Sequence, residues 1–484
     1  MAPPAAGKDL LTRGPIPLTL LMFALPILGS NVLQSLNASI NLVWVGHYLG
    51  ESAFAATSNA NLILFFLLGV VFGISMATTI LVGQTTGAGN IAEARRVVGT
   101  CTSFFALLSI LVALLGFIVT PSLLRAMGTP DDAQPYAIAY LRIIFVALPP
   151  MYFYNFLMMT LRGAGDSRTP FMFMLLSVVL DVALNPVFIF GIGPIPRMGI
   201  AGSAVATLIA QTVSLGGLIF HLYHRKHFLC IRRGELGLLR PDPAILKSLI
   251  VKGLPMGLQM VVISSSAIVM IALVNRHGSQ TTAAYGAAAQ LWTYIQMPVL
   301  AVGSAVSSMV AQNVGARLWD RVTTIGRVGV MYNFVLTGAL VALIYLFNRA
   351  ALGLFLPDDG DAISIAQHLN AIVVWSFLFF GVTFVLFGVV RATGAVMAPL
   401  VILVISMWLV RYPFAALLEP RYGADAIWWS FPVGSLVSVT LAIGYYRFGN
   451  WRKARMLLPE QTPPAEQAPT TGAGAPALTV TPQD

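Results

Sequence analysis

Apolar residues run along this chain in stretches of about 20 or more, separated by short charged or Gly- and Pro-rich breaks. Six such runs lie near 16–43, 53–84, 93–119, 134–161, 168–191 and 199–223. A basic segment, HRKHFLCIRRGELGLLRPDPAILK, follows them, and six further runs lie near 247–274, 281–313, 320–347, 362–390, 396–418 and 425–448. A helix needs roughly 20 apolar residues to cross the hydrocarbon core, so the pattern predicts an all-α polytopic membrane protein with twelve transmembrane helices in two bundles of six. The expected layout is an N-terminal segment at 1–14, a first lobe at 15–224, a basic linker at 225–246, a second lobe at 247–450 and a tail at 451–484. That tail is rich in Pro, Ala, Thr and Gln with nothing to bury, which predicts disorder.

The basic residues test this count. When alternate connections are assigned to opposite sides, one side collects Lys8, Arg13, Arg95, Arg96, Arg162, Arg168, the linker cations, Arg317, Arg321, Arg327, Arg391 and Arg447 to Arg455. The other holds Arg125, Arg197, Arg276, Arg349 and Arg421. This asymmetry predicts that both termini and the linker face the cytoplasm of a bacterial inner membrane. Composition fits: 57% of residues are hydrophobic and 10% charged, against about 25% charged in soluble domains. The net charge of +10 is then a topology signal, and no nucleic-acid partner is expected. Cys101 and Cys230 fall in regions unsuited to pairing, so no disulfide is expected. The first residues lack the pattern of a cleaved signal, so the first apolar run should remain as a helix.

The halves also repeat. ILVGQTTGAG (Ile80 to Gly89) matches SMVAQNVGAR (Ser308 to Arg317), and LRGAGDSRTP (Leu161 to Pro170) matches VRATGAVMAP (Val390 to Pro399). TPDD (Thr129 to Asp132) matches LPDD (Leu356 to Asp359), and Pro26 matches Pro255. An even number of spans per copy gives both copies one membrane orientation, related by an axis along the membrane normal, with a cavity between the bundles.

With LPILGSNVLQSLNASINLVWVGHYLG in the first span, then ATSNA, GQTTGAG, LRGAGDSRTP and LNPVFIFGIGPIPRMGIAGSAVAT in order, the sequence resembles the multidrug and toxic compound extrusion (MATE) family over nearly everything from Pro15 to Tyr446. The resemblance implies a two-lobed antiporter, not an enzyme, that exports organic and often cationic small molecules in exchange for H+ or Na+. No cofactor is implied beyond that ion, and the expected partners are small-molecule substrates and the lipid bilayer, with the protein as a monomer. Two departures matter. Asn41 stands where many members carry the Asp of a D-T-x-x-x-G pattern, and their N-x-x-x-D-P reads here as D-V-A-L-N-P. The seventh span offers only Ser264, Ser265 and Ser266 where other branches place an acid, so coupling is expected in the first lobe.

The residues themselves point the same way. A charged Asp at mid-bilayer costs about 2.5 to 3.5 kcal/mol on insertion scales, so Asp181 is functional by default. Asp181 and Asn185 are four apart on one helix face, and Pro186 donates nothing to the Val182 carbonyl. With Asn41, Asn37 and Gln34 from the first span they form a candidate site for a proton or a small hard cation. Met151, Tyr152, Tyr154, Asn155 and Met158 of the fourth span and Trp292, Tyr294, Gln296 and Met297 of the eighth are the candidate cavity wall, set against ordinary core packing. Arg411 of the eleventh span is expected to snorkel or line a cavity. Pro26 and Pro255 are expected to bend the first and seventh helices, and Gly69, Gly73 and Gly303 to allow close helix contact. His221, His224 and His227 read as a solvated surface ahead of a metal site. A flippase for lipid-linked intermediates would want a basic cavity, and the near absence of Lys and Arg within the spans weighs against one.

Overall fold

The computed structural model describes residues 10–49, 51–126, 128–129, 134–356 and 361–456; residues 1–9 and 457–484, and the acidic pairs of TPDD and LPDD, lie outside the described residues. Twelve helices are long and apolar enough to cross a membrane. The first lobe contains α1 (Ile16–Leu49), α2 (Glu51–Gly87), α3 (Ile91–Ala126), α4 (Gln134–Gly163), α5 (Arg168–Phe190) and α6 (Ile200–His224). The second contains α7 (Pro243–Val274), α8 (Ser279–Gly315), α9 (Trp319–Leu346), α10 (Asp361–Thr393), α11 (Met397–Tyr422) and α12 (Ala424–Phe448). No strand occurs among the described residues.

Helices satisfy every interior backbone group within the segment, which is what a bilayer demands. Their outer faces carry the apolar side chains that lipid covers: Leu107, Leu114 and Ile118 on α3 and Val335 and Leu346 on α9 are all largely exposed. Helices α2, α8 and α10 are the most enclosed. Within the lobes α2 packs on α4, α5 on α6, α8 on α9 and α10, and α11 on α12. Between the lobes α1 packs on α8 and α2 on α7, equivalent pairs under the internal repeat, while α2 and α8 meet at its axis.

The repeat is visible atom by atom at the end of the bundle that carries the linker. Gln84 Nε2 on α2 donates to the Ala392 carbonyl on α10 at 2.7 Å, and Gln312 Nε2 on α8 donates to the Gly163 carbonyl on α4 at 2.9 Å. Both bonds cross from one lobe to the other. Beside them Gly87 and Gly315 let the backbones touch: a Cβ on Gly87 would lie 1.9 Å from the Gln312 oxygen, and one on Gly315 the same 1.9 Å from the Gln84 oxygen. This crossing closes the linker side of the bundle. Higher in the bundle Gly73 is equally tight, since its Cβ would lie 2.1 Å from Gly257 N, whereas Gly69 and Gly303 make ordinary contacts. Pro26 and Pro255 lie inside the unbroken helices α1 and α7.

Two boundaries, one at each end of the second lobe, differ from expectation. Helix α7 starts at Pro243, not 247, because Asp242 caps it, accepting from Ala244 N at 2.8 Å and Ile245 N at 3.2 Å; such a cap contributes about 1 kcal/mol. The start of the expected tail is packed: Trp451 is 1% exposed and Met456 fully buried. At the other end the Leu11 carbonyl accepts from Asn313 Nδ2 at 2.9 Å.

The linker is docked as well. Its 3-10 turn, Arg233–Leu239, lies along α3, held by ion pairs of Arg95 with Glu235 and of Arg96 with Asp242. The backbone N–H of Arg232 and then the Arg95 guanidinium hold the Glu235 carboxyl below its usual range. A depressed carboxyl stabilises docking above its ordinary range, and that gain is lost as pH falls through the depressed value. Hydrogen exchange at 233–239, corrected for intrinsic rates, should therefore be slow at neutral pH and rise at acidic pH. Glu235→Gln should remove that dependence; exchange equally slow at both pH values would show that the pair does not hold the turn.

Candidate functional site

Asp181 is 2% exposed and Asn185 fully buried, and no other carboxylate among the described residues is buried. The 3.6-residue period explains how α1 meets them. Asn37 and Asn41, four apart, share the face of α1 that points to α5, and Asn31, Gln34, Ser35 and Ala38 occupy the face toward the centre of the molecule. Asn37 Nδ2 donates to Asp181 Oδ2 at 2.9 Å and Asn41 Nδ2 to the same oxygen at 2.8 Å. Thr207 on α6 donates to Oδ1 at 3.0 Å. Asn185 Nδ2 donates to Asn41 Oδ1 at 2.9 Å and to the Asp181 backbone carbonyl at 2.8 Å. The structure thus brings together Asp181, Asn185, Asn41 and Asn37. Gln34 does not join them; one turn before Asn37, it borders the central cavity. Thr207 is the member that sequence reasoning missed, since a Thr in an apolar span commonly bonds its own helix backbone.

Three side-chain donors thus meet the two carboxylate oxygens. Two buried amide oxygens, Asn37 Oδ1 and Asn185 Oδ1, have no hydrogen-bond partner. A carboxylate beside unpaired amide oxygens and a hydroxyl is an all-oxygen donor set. That set can take up a proton at Asp181 or surround a small hard cation such as Na+. No group of three or more His, Cys, Asp or Glu residues suited to a transition metal occurs among the described residues.

The cavity lies between the lobes. Its volume is about 590 Å³, and its wall includes Asn31 and Gln34 of α1, Phe72 and Met76 of α2, Asn155 and Arg162 of α4, Met260 of α7, Gln296 and Met297 of α8, and Phe384 and Arg391 of α10. Of the expected wall residues, Asn155, Gln296 and Met297 are there. Tyr152 packs into the main core, and Tyr154 and Met158 into a smaller cluster against α6, because α4 turns those faces to its neighbours. Met151 lies off this wall, and Tyr294, 47% exposed, lies on an outer face of α8. Trp292 is buried and lines, with Arg411, a second cavity of about 280 Å³ inside the second lobe. The Arg411 guanidinium there lies 3.5 Å from the centre of the Phe431 ring, so it lines a cavity and does not snorkel.

Arg162 and Arg391 require a further correction. Placed among loop cations by sequence, both lie inside the last turns of their helices, 6% and 4% exposed, and face the central cavity. The spans are not free of Arg, and the cavity they line is basic.

Comparison with known proteins agrees with this architecture. The MatE family model matches residues 26–187 and 255–417, one copy in each lobe. The probable multidrug resistance protein YoeA of Bacillus subtilis is 38% identical over 437 residues, 90% of this chain and 94% of that one. YpnP, also a probable multidrug resistance protein of Bacillus subtilis, is 33% identical over 446 residues, 92% and 98% of the two chains. Among solved structures, a MATE transporter in complex with MaL6 superposes with a TM-score of 0.85 at 21% identity, covering 91% of this chain and 97% of that one. The outward-facing conformation of a MATE family transporter of the MOP superfamily gives 0.84 at 21% identity, with the same coverage. With twelve membrane helices in two matching lobes, each copy covered by the same family pattern, the chain is an integral membrane protein that belongs to the MATE family of multidrug efflux transporters.

Proposed function

We propose that this protein is a secondary antiporter that exports small organic molecules through the central cavity in exchange for a cation, H+ or Na+, taken up at Asp181. The observation that carries this reading is the position of α1. One face of that helix is bonded to the Asp181 carboxylate through Asn37 and Asn41, and the adjoining face forms part of the cavity wall. A proton on Asp181 removes the charge that holds both amides, and a cation competes for the same oxygens. Either way α1 is released from α5 and the cavity it lines is altered. The lobes then rock about the Gln84 and Gln312 crossing, which opens when the cavity faces the other side.

The excess of Lys and Arg on the linker side supports a cytoplasmic linker and cytoplasmic termini in a bacterial inner membrane. In that orientation a closed crossing leaves the protein outward-facing. No chemical conversion is assigned to it. The test is efflux from proteoliposomes of a panel of anionic, zwitterionic and cationic fluorescent compounds, with pH and sodium gradients imposed separately. Uphill movement of at least one compound under one of the two gradients is the expected result; movement only down its own gradient, whatever the ion, would remove the antiport reading.

A further inference from the structure

The central cavity holds two guanidinium groups that the Asp181 site does not use. Arg162 of α4 and Arg391 of α10 occupy matching positions in the two repeats and line the same space. Each directly precedes an acceptor of the cross-lobe lock: Gly163 receives Gln312, and Ala392 receives Gln84. They therefore stand on either side of the lobe seam at the floor of the cavity. Arg162 Nε is buried with no hydrogen-bond partner, and Nη1 donates to the Met159 sulfur at 4.0 Å. Arg391 donates to the Phe387 carbonyl at 3.2 Å and to Gln259 Oε1 at 3.3 Å, both neutral.

Buried charges are normally paired. Among the described residues neither arginine has an ion-pair partner, and no carboxylate lines the cavity. The other polar groups of the wall, such as Asn31, Gln34, Asn155 and Gln296, are neutral. Asp181 is turned away, its oxygens taken by Asn37, Asn41 and Thr207. Two like charges on opposite sides of a seam, with no counter-charge among the described residues of the wall, favour whatever bound group supplies one. A guanidinium fork matches carboxylate and phosphate oxygens, and two forks match one such group better than a point charge would. The remaining wall, with Phe72, Met76, Met260 and Met297, suits an apolar body, and about 590 Å³ is the size of a site for a drug-sized molecule.

We infer that the cargo of this cavity carries an anionic oxygen group, a carboxylate or phosphate, held by Arg162 and Arg391 while its apolar body lies against the methionines and Phe72. This rests on the exporter reading and specifies its substrate class as organic anions or zwitterions, in place of the organic cations that family resemblance implied.

The experiment is equilibrium binding, with no ion gradient, to the purified full chain in phosphatidylcholine nanodiscs. The two probes are 6-carboxyfluorescein and ethidium, read by fluorescence anisotropy. Carboxyfluorescein is expected to bind saturably. Arg162→Gln or Arg391→Gln should weaken it roughly tenfold to a hundredfold, the loss typical of a charged hydrogen-bond partner. The matching Lys variants should recover part of the affinity, since they keep the charge without the fork. Ethidium affinity unchanged or improved in the Gln variants shows that the cavity remains folded. Competition by inorganic phosphate supports a free anion as the occupant. Competition by phosphatidylglycerol in the nanodisc, with none from inorganic phosphate, supports the same chemistry supplied by a lipid headgroup.

Carboxyfluorescein affinity unchanged in both Gln variants, or ethidium preferred by the unaltered protein, would overturn the proposal. If neither dye binds while a gradient still drives efflux of a cation, the anion reading falls and the exporter reading stands. Arginine-dependent binding without gradient-driven efflux upholds the anion site and removes the exporter reading.

Discussion

Asp181→Asn should abolish uphill transport while leaving a folded protein that still binds its cargo. The substitution is nearly isosteric: Asn37, Asn41 and Thr207, which donate to the carboxylate, can bond an amide in its place, and Asn185 keeps its bond to the backbone carbonyl of residue 181. What is lost is the charge that a proton or Na+ neutralises. One coupled charge crossing 100 mV supplies about 2.3 kcal/mol, which sustains a concentration ratio of about fiftyfold. Accumulation in proteoliposomes should fall from that order to simple equilibration, under pH and sodium gradients alike. Carboxyfluorescein should still bind, because Asp181 is not on the cavity wall, with the affinity that the unaltered protein shows once its carboxylate is neutralised. A variant that responds to the gradient as the unaltered protein does would show that energy enters elsewhere and that Asp181 is structural.

Gly315→Ala and Gly87→Ala should each hold the linker side of the bundle open. A methyl group at either position meets a backbone carbonyl at 1.9 Å, not the movable end of a side chain, so only separation of α2 and α8 relieves the overlap. Overpacking of this kind costs about 1 to 3 kcal/mol. Each 1.4 kcal/mol is a factor of ten in an equilibrium, so the closed population should fall roughly fivefold to more than a hundredfold. The closing bonds from Gln84 and Gln312 would be stretched at the same time. The measurement is labelling of Ser304→Cys, on the cavity wall, by a membrane-impermeant thiol reagent added from the linker side, in a Cys101→Ser/Cys230→Ser background. Labelling should rise and efflux should fall together. Unchanged labelling would mean that the crossing of α2 and α8 is not the seal. Gly216, where a Cβ would meet nothing within 4 Å, serves as a control whose Ala variant should behave as the unaltered protein does.

How much of this was legible beforehand differs between the fold and the site. A bilayer constrains sequence along one dimension. Each crossing requires an apolar run of set length, each run must be helical to satisfy its backbone, and basic loops divide between the two sides. The twelve helices, the two lobes and the repeat therefore follow from the order of residues alone. So does the pairing of Asp181 with Asn185, because a spacing of four on one helix is local geometry.

Facing is another matter. A membrane helix is apolar all round, so its period does not separate the side toward lipid, core or cavity. That is why Tyr152, Tyr154 and Met158 resembled cavity residues until their neighbours on α3 and α6 were in place, and why Thr207 carried no signal. It is also why Arg162 and Arg391 read as ends of loops: a charge in the final turn of a span is equally compatible with headgroups and with a buried cavity. The sequence alone determined the number, order and symmetry of the helices and the carboxylate at the heart of one lobe. Only the tertiary structure decided which faces meet, and with them the reciprocal Gln lock and the unpaired arginines on the cavity floor, because those contacts join residues more than a hundred positions apart and depend on how the lobes pack, not on any local spacing.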